Sequence, residues 1–265
     1  MEKDVTSNKE LNTEENAKAN IDDQASNVDE KIQTIVHKDS ALTRLDKSFN
    51  KHIELLEFKK SNILAYWIKQ FSEYHDNEKN FKDLVLPTLK TFKRGDIVKA
   101  NLGFNIGNEL GGLHYCVVLN KNDNAFSGVL NIIPLSSSKT DKTYNTQTCI
   151  DIGDELFISL TTKFNKESEK LEKKLDDFQN LTIGEKSISQ IEKINEVQVL
   201  LKRLDYLQKI NTEISRMKHG SIAYVNQITT ISKQRIFKTP ILSGIKLSNA
   251  SLDLLDNKII ELFTK

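Results

Sequence analysis

The chain has 265 residues, with 38 Lys and Arg against 37 Asp and Glu, 38% hydrophobic residues, 10 Gly, 3 Pro and 2 Cys. That length leaves room for one or two domains with a sizeable core, and so few Gly, Pro and Cys exclude a collagenous, Gly-rich or disulfide-framework protein. Aromatics at 7% leave little for an aromatic-platform RNA binder. No window reaches the roughly eighteen uninterrupted apolar residues of a membrane span, and the acidic start lacks the basic and apolar regions of a signal peptide. A cytoplasmic protein without a membrane contact is expected.

Residues 1–40 hold ten Asp and Glu against five Lys, a net of −5 that leaves +6 on the rest of the chain. Apolar residues there are single and unperiodic, too few to offset chain entropy, which predicts a disordered acidic tail. Such a tail is either solvated or able to cover a basic groove. A helical extension over 41–87 follows, where Leu45, Phe49, Ile53, Leu56, Ile63, Trp67, Phe71 and Tyr74 recur at three- and four-residue steps. This stripe predicts one helix to about His75, packed on its own domain or pairing as a coiled coil.

Near Pro87 the period changes. Asp96 to Ala100, Tyr115 to Leu119, Val129 to Pro134 and Thr148 to Ile152 read as short strands separated by turn-rich segments. From about Phe164 helical spacing returns, with Leu171, Leu175 and Phe178, then Ile188, Ile191, Ile194, Val197, Leu201, Leu204, Leu207, Ile214 and Met217. These predict a helical hairpin or coiled coil over 161–218, turning at Gly184. A strand over Ser221 to Val225 follows His219-Gly220, and an amphipathic helix over Ser248 to Phe263 ends the chain. The hairpin therefore reads as an insertion in a β-domain made of 88–160 and 219–265, together 120 residues. Cys116 and Cys149 lie 33 residues apart without CxxC spacing or clustered His, so neither a zinc site nor a disulfide framework is suggested. Cys116, within an apolar run, reads as a small buried hydrophobe.

Two segments carry a family resemblance. Lys93-Arg94-Gly95-Asp96-Ile97-Val98, Asn101-Leu102-Gly103 and Ile106-Gly107-Asn108-Glu109-Leu110-Gly111-Gly112-Leu113-His114-Tyr115-Cys116-Val117-Val118-Leu119 resemble the start of MazF/PemK-type toxins. Asn226-Gln227-Ile228-Thr229-Thr230-Ile231-Ser232-Lys233-Gln234-Arg235-Ile236, and Leu247-Ser248 before the last helix, resemble that family's C-terminal part. The resemblance covers those 120 residues and implies an α+β fold. Its core is a small SH3-like, plasmid-toxin type β-barrel with a C-terminal helix; the N-terminal helix and the inserted hairpin are additions. It further implies a metal-independent endoribonuclease with no cofactor that acts on single-stranded RNA, is held silent by a cognate antitoxin, and is a homodimer.

Cleavage without a metal uses the substrate's own 2′-hydroxyl, and needs a base, an acid for the leaving 5′-oxygen, and donors for the developing phosphorane charge. The family places a basic residue, commonly Arg, two positions after its Gly-Gly pair. Here that position is His114, which can exchange protons near its ordinary pKa of about 6.5 as well as carry charge. The accompanying family hydroxyl corresponds to Ser136, a donor to a phosphate oxygen, with Ser137 its neighbour in a Ser-rich loop. Outside the resemblance, a strand-starting His is most often structural. By the resemblance Gln227, Thr230, Lys233 and Arg235 are substrate-binding candidates. Thr230 is also suited to cap a short helix, and Lys233 and Arg235 to engage RNA phosphate or a dimer partner. The Gly107–Gly112 loop, with Asn108, Glu109, Gly111 and Gly112, can close over a base and offer donors and acceptors to its edges. Arg94-Gly95-Asp96, although it spells a cell-adhesion tripeptide, reads as the lead into the first strand. Two other functions stay open from the same residues. One is a non-catalytic module on the toxin fold that inhibits a protein target; the other is a helical scaffold built on 41–80 and 165–218.

Overall fold

A computed structural model describes residues 4–83, 89–138, 143–183, 189–217, 220–237 and 239–264. The expected boundary at Pro87 and the turn residues Gly184 and His219 lie outside the described residues. The chain divides into two compact units, 1–66 and 67–265. Among the described residues no helix is long and apolar enough to cross a membrane.

Helix α1 runs Asp4–Glu54 and α2 runs Phe58–Asp83. Two expectations change here. Residues 4–40, read from composition as a disordered tail, are helical. No Gly or Pro occurs before residue 55, so nothing in the backbone interrupts a helix even where few apolar side chains support it. The single helix expected from about residue 40 to 75 is instead broken at Leu55-Leu56-Glu57, where Leu56 adopts φ of 57°. The break is held locally: the Glu57 N–H donates to the His52 carbonyl at 2.8 Å, and the Glu57 carboxylate meets the His52 ring at 2.7 Å. That hydrogen bond holds the Glu57 carboxyl below its ordinary range.

The larger unit is built on six antiparallel strands: β1 (Ile97–Asn101), β2 (Leu113–Val118), β3 (Val129–Ser137), β4 (Cys149–Asp151), β5 (Ser221–Tyr224) and β6 (Thr229–Ser232). Strand β3 is the hinge of the sheet. One edge pairs with β2 over Ile132–Leu135; on the other, its first half pairs with β6 and its last residues with β5, which carries β4. Pro134, which has no N–H, falls where that neighbour changes, the place in a central strand where a missing donor costs least. After β6 the chain returns to β1 by an Ala100↔Ile236 bridge, with the Phe237 N–H on the Lys99 carbonyl at 2.9 Å, and closes β1-β2-β3-β6 into a small barrel. Sequence patterning locates five of the strands and misses β6.

Period-two alternation sorts the side chains. Val98, Ala100, Cys116, Val118, Leu130, Ile132 and Ile231 fill the barrel. Their neighbours Ile97, Val117, Ile133 and Leu135 face outward onto helices. Each such Leu or Ile, removed from water, contributes about 1.5–3 kcal/mol. Both cysteines are free and buried, and burial pushes the Cys116 thiol up to about 12.

Three helices cover the outer face: α3 (Glu155–Ile183), α4 (Gln190–Arg216) and α5 (Asn249–Phe263). Helix α3 starts six residues before the predicted hairpin, because Leu156 and Leu160 lie under the sheet and share one face with Phe164. Helix α4 opens with a Ser189/Glu192 capping box. Ser248 caps α5, and the Glu155 carboxylate accepts from the Ser248 N–H and the Ser251 hydroxyl, tying the starts of α3 and α5 together. The Arg94-Gly95-Asp96 triplet is wholly structural. Arg94 reaches the Leu119 carbonyl at 2.9 Å and the Asp256 carboxylate, and Asp96 pairs with Lys246 at 3.3 Å.

Candidate functional site

The segment from β1 to β2 is a glycine-rich loop with a closed neck. The Gly112 N–H donates to the Gly103 carbonyl at 2.6 Å, and the Leu102 N–H to the Gly112 carbonyl at 2.8 Å. Glycine is required on the returning side: Gly112 has φ of 81°, and a Cβ on Gly111 would stand 2.7 Å from the Gly103 carbonyl oxygen. Below the neck, the Arg235 Nε donates to the Asn101 carbonyl at 2.8 Å, and its guanidinium lies 5.3 Å over the Trp67 ring of α2. Asn101 also bonds to Gln70. Burial lowers the Arg235 pKa from its ordinary value, with Tyr74 acting in the opposite direction.

Gln227 clamps the far part of this loop. Its Oε1 accepts the Leu110 N–H at 2.6 Å, and its Nε2 donates to the Asn108 carbonyl at 3.0 Å. Both polar ends of the amide are thus taken up by loop backbone, so Gln227 acts as an anchor. The side chains of Asn108 and Glu109 stay exposed, as does Ile106 beside them at 83%.

His114 stands at the start of β2, opposite Ala100. Its Nδ1 lies 2.8 Å from the carbonyl oxygen of Leu135 on β3. A carbonyl only accepts, so Nδ1 carries the proton in this contact, and Nε2 is the lone-pair nitrogen of the neutral ring. Tyr115 pairs with Leu135 as the last pair of the β2–β3 register, and His114 and Ser136 are the residues next to that pair. Both share the face that carries Cys116 and Ile132 further in, and both are half-buried. His114 thus flanks the β2 end of the β2–β3 register and Ser136 its β3 end, at the same end of the barrel.

The remaining candidates are placed apart from that pair. Thr230 lies within β6 and donates to Asn131 on β3; the cap expected of it is supplied by Ser232, whose hydroxyl accepts from the Gln234 N–H at 3.2 Å. Lys233 is 8% exposed, with its Nζ 2.8 Å from Asp123 and 3.1 Å from the Asn124 carbonyl. Its charge is compensated inside the protein. Arg235 is likewise committed to Asn101 and Trp67. Gln227, Lys233 and Arg235 thus hold the loop and the barrel, where the resemblance points to substrate contact.

A buried charge cluster escapes the sequence reading. Glu213 of α4 meets the Lys99 ammonium and the Tyr115 hydroxyl, side chains paired across β1 and β2 on the outer face, opposite the face that carries His114. Burial pushes the Glu213 carboxyl up, but its bonds to Lys99 and Tyr115 outweigh this and hold it below 4.5. Burial and the same carboxylate raise the Tyr115 phenol well above its ordinary value. The signal in the sequence is a carboxylate inside the stripe Leu207, Ile210, Ile214, Met217.

Compared with known families, residues 93–208 match the PemK-like, MazF-like toxin of type II toxin-antitoxin systems. The chain carries a PemK-like toxin domain. The match begins at Lys93, where the resembling motif begins, and ends within α4. Residues 227–235, which complete the PemK-like barrel in space, lie beyond the matched stretch. A search of curated proteins finds no match.

Proposed function

We propose that the PemK-like domain cleaves single-stranded RNA, with His114 and Ser136 at the reacting phosphate. The observation that supports this reading is the Nδ1 contact of His114 with the carbonyl of Leu135, the residue before Ser136, which leaves Nε2 for a substrate. Nε2 takes the proton of a 2′-hydroxyl as its oxygen forms a bond to the adjacent phosphorus. The bond from phosphorus to the 5′-oxygen breaks, and that oxygen takes a proton from solvent, leaving a 2′,3′-cyclic phosphate. The Ser136 hydroxyl donates to a non-bridging oxygen as charge develops there. Asn108 and Glu109, exposed on the clamped loop, are the base-reading candidates. Antitoxin binding and homodimerisation complete the proposal.

The test is incubation of the full chain with a long single-stranded RNA in excess EDTA, followed by mapping of the ends. Cuts at a recurring short sequence with cyclic-phosphate termini support the reading; intact RNA with folded protein overturns it. One observation favours a second reading, a helical interaction scaffold. Ile191, Ile194, Val197, Leu201 and Leu204 form a row along α4 and are all exposed. Sedimentation of wild type beside Ile194→Lys/Leu201→Lys measures whether that row carries self-association.

A further inference from the structure

Helix α2 precedes the matched stretch 93–208, yet from Trp67 onward it belongs to the same compact unit as the barrel. Its Trp67 and Gln70, neighbours on one face of the helix, meet the root of the β1-β2 loop. The Gln70 amide oxygen accepts from the Asn101 side chain, whose own oxygen accepts the Gly103 N–H at 2.9 Å. The Trp67 ring covers the Arg235 guanidinium, and the Arg235 Nε holds the Asn101 carbonyl. Both groups close on the backbone at residue 103, where a Cβ would stand 3.0 Å from the Trp67 ring and 3.2 Å from the Arg235 guanidinium.

Two features separate this contact from ordinary packing. First, Arg235 is half-buried and has no carboxylate partner among the described residues, so the Trp67 face and the Asn101 carbonyl stabilise its charge. Second, the root is linked to the rest of the loop. The Gly103 carbonyl accepts the Gly112 N–H and the Leu102 N–H reaches the Gly112 carbonyl, so residues 101–103 set where the neck stands. Gln227 fixes the outer part at Asn108 and Leu110. A loop held at one point pivots about it, whereas a loop held at two presents its exposed side chains in one orientation. His114 is held separately, through Nδ1 on the Leu135 carbonyl.

We infer that Trp67 and Gln70 are positioning residues for RNA recognition: acting through Arg235 and Asn101, they hold the loop root so that Asn108 and Glu109 meet the bases in one orientation. The inference rests on the ribonuclease reading for what the loop faces, and on the contacts above for what holds it. A loop ordered on folding has no ordering left to pay on binding, so the effect falls on substrate affinity. Because His114 is tied to β3 and not to α2, the chemical step keeps its own rate once RNA is bound.

The test uses the full chain with Gln70→Leu, Trp67→Leu and Trp67→Phe, each confirmed folded by circular dichroism. In the absence of RNA, amide hydrogen exchange followed by NMR compares the Leu102, Gly103 and Gly112 amides of the root with the Leu110 amide that Gln227 holds. Exchange at the three root amides is expected to rise about fivefold or more in Gln70→Leu and Trp67→Leu, with Leu110 and the strands unchanged. Trp67→Phe keeps an aromatic face for Arg235 and should stay within about twofold of wild type. On one single-stranded RNA in EDTA, KM should rise about fivefold or more in the two leucine variants while kcat stays within about twofold. Unchanged root amides overturn the inference, and so does Trp67→Phe behaving like Trp67→Leu. A fall in kcat at unchanged KM overturns it too, since a merely structural role acts through a smaller folded fraction. The exchange measurement reads no cleavage, so its failure is separable from failure of the ribonuclease reading, which shows as RNA left intact by wild type.

Discussion

Lys233→Ala distinguishes a scaffold lysine from an RNA-contacting one. The Lys233 side chain is 4% exposed and that of Asp123 is 0%, and the charged atoms stand 2.8 Å apart. At an effective dielectric of about 20, that separation corresponds to a gross attraction of about 6 kcal/mol. Removing the lysine leaves the Asp123 carboxylate buried, its other oxygen held at 2.8 Å by the Phe92 N–H. Loss of one partner of a buried pair costs about 3–5 kcal/mol, which lowers the melting temperature of a unit this size by roughly 6–20 °C. Urea unfolding of wild type and variant measures the loss. Lys233→Met with Asp123→Asn removes both charges, retains the Phe92 bond, and is expected to recover more than half of it. A variant that loses less than about 1 kcal/mol while RNA affinity falls tenfold would refute the buried-pair reasoning.

Other predictions follow from the same contacts. Glu213→Gln removes the carboxylate that holds Lys99 and Tyr115. Because the folded Glu213 pKa lies below 4.5, its stabilisation is present above that pH and lost as pH falls through the lower folded value. The melting-temperature gap between wild type and Glu213→Gln should therefore be widest near neutrality and close in acid; a gap independent of pH would contradict this. Gln227→Leu frees the Leu110 N–H and the Asn108 carbonyl, so amide exchange over 106–112 should rise severalfold while the barrel strands stay protected. Gly112→Ala forces a Cβ onto a φ of 81° and should cost about 1 kcal/mol or more by thermal melting.

The sheet was readable where alternation was clean. Val117 and Val118, flanked by Cys116 and Leu119, announce a strand buried on both faces, and β2 is one. Strand β6 was hidden because Thr229-Thr230-Ile231-Ser232 buries only Ile231 well, and its edge is set by β3, a partner distant in sequence. The break at Leu56 carries no Gly or Pro, and depends on a hydrogen bond between His52 and Glu57 that periodicity does not register. At the site, His114 and Ser136 were legible as motif positions; the His114 contact with the Leu135 carbonyl across β2 and β3 was not, because it joins strands distant in sequence. The roles of Lys233 and Arg235 were not legible, since a basic residue reads the same whether it faces solvent or a buried Asp123. Glu213 shows the converse: a charge within an apolar stripe signals a buried partner without naming it.

The central claim is that His114 and Ser136 act on RNA, and a paired kinetic comparison tests it most directly. Full-length wild type, His114→Ala and Ser136→Ala, each confirmed folded by circular dichroism, are assayed for kcat/KM on one single-stranded RNA in EDTA. A fall of about 10²–10⁴ for His114→Ala, and a smaller but clear fall for Ser136→Ala, is the predicted result. Wild-type cleavage that survives both substitutions would contradict it.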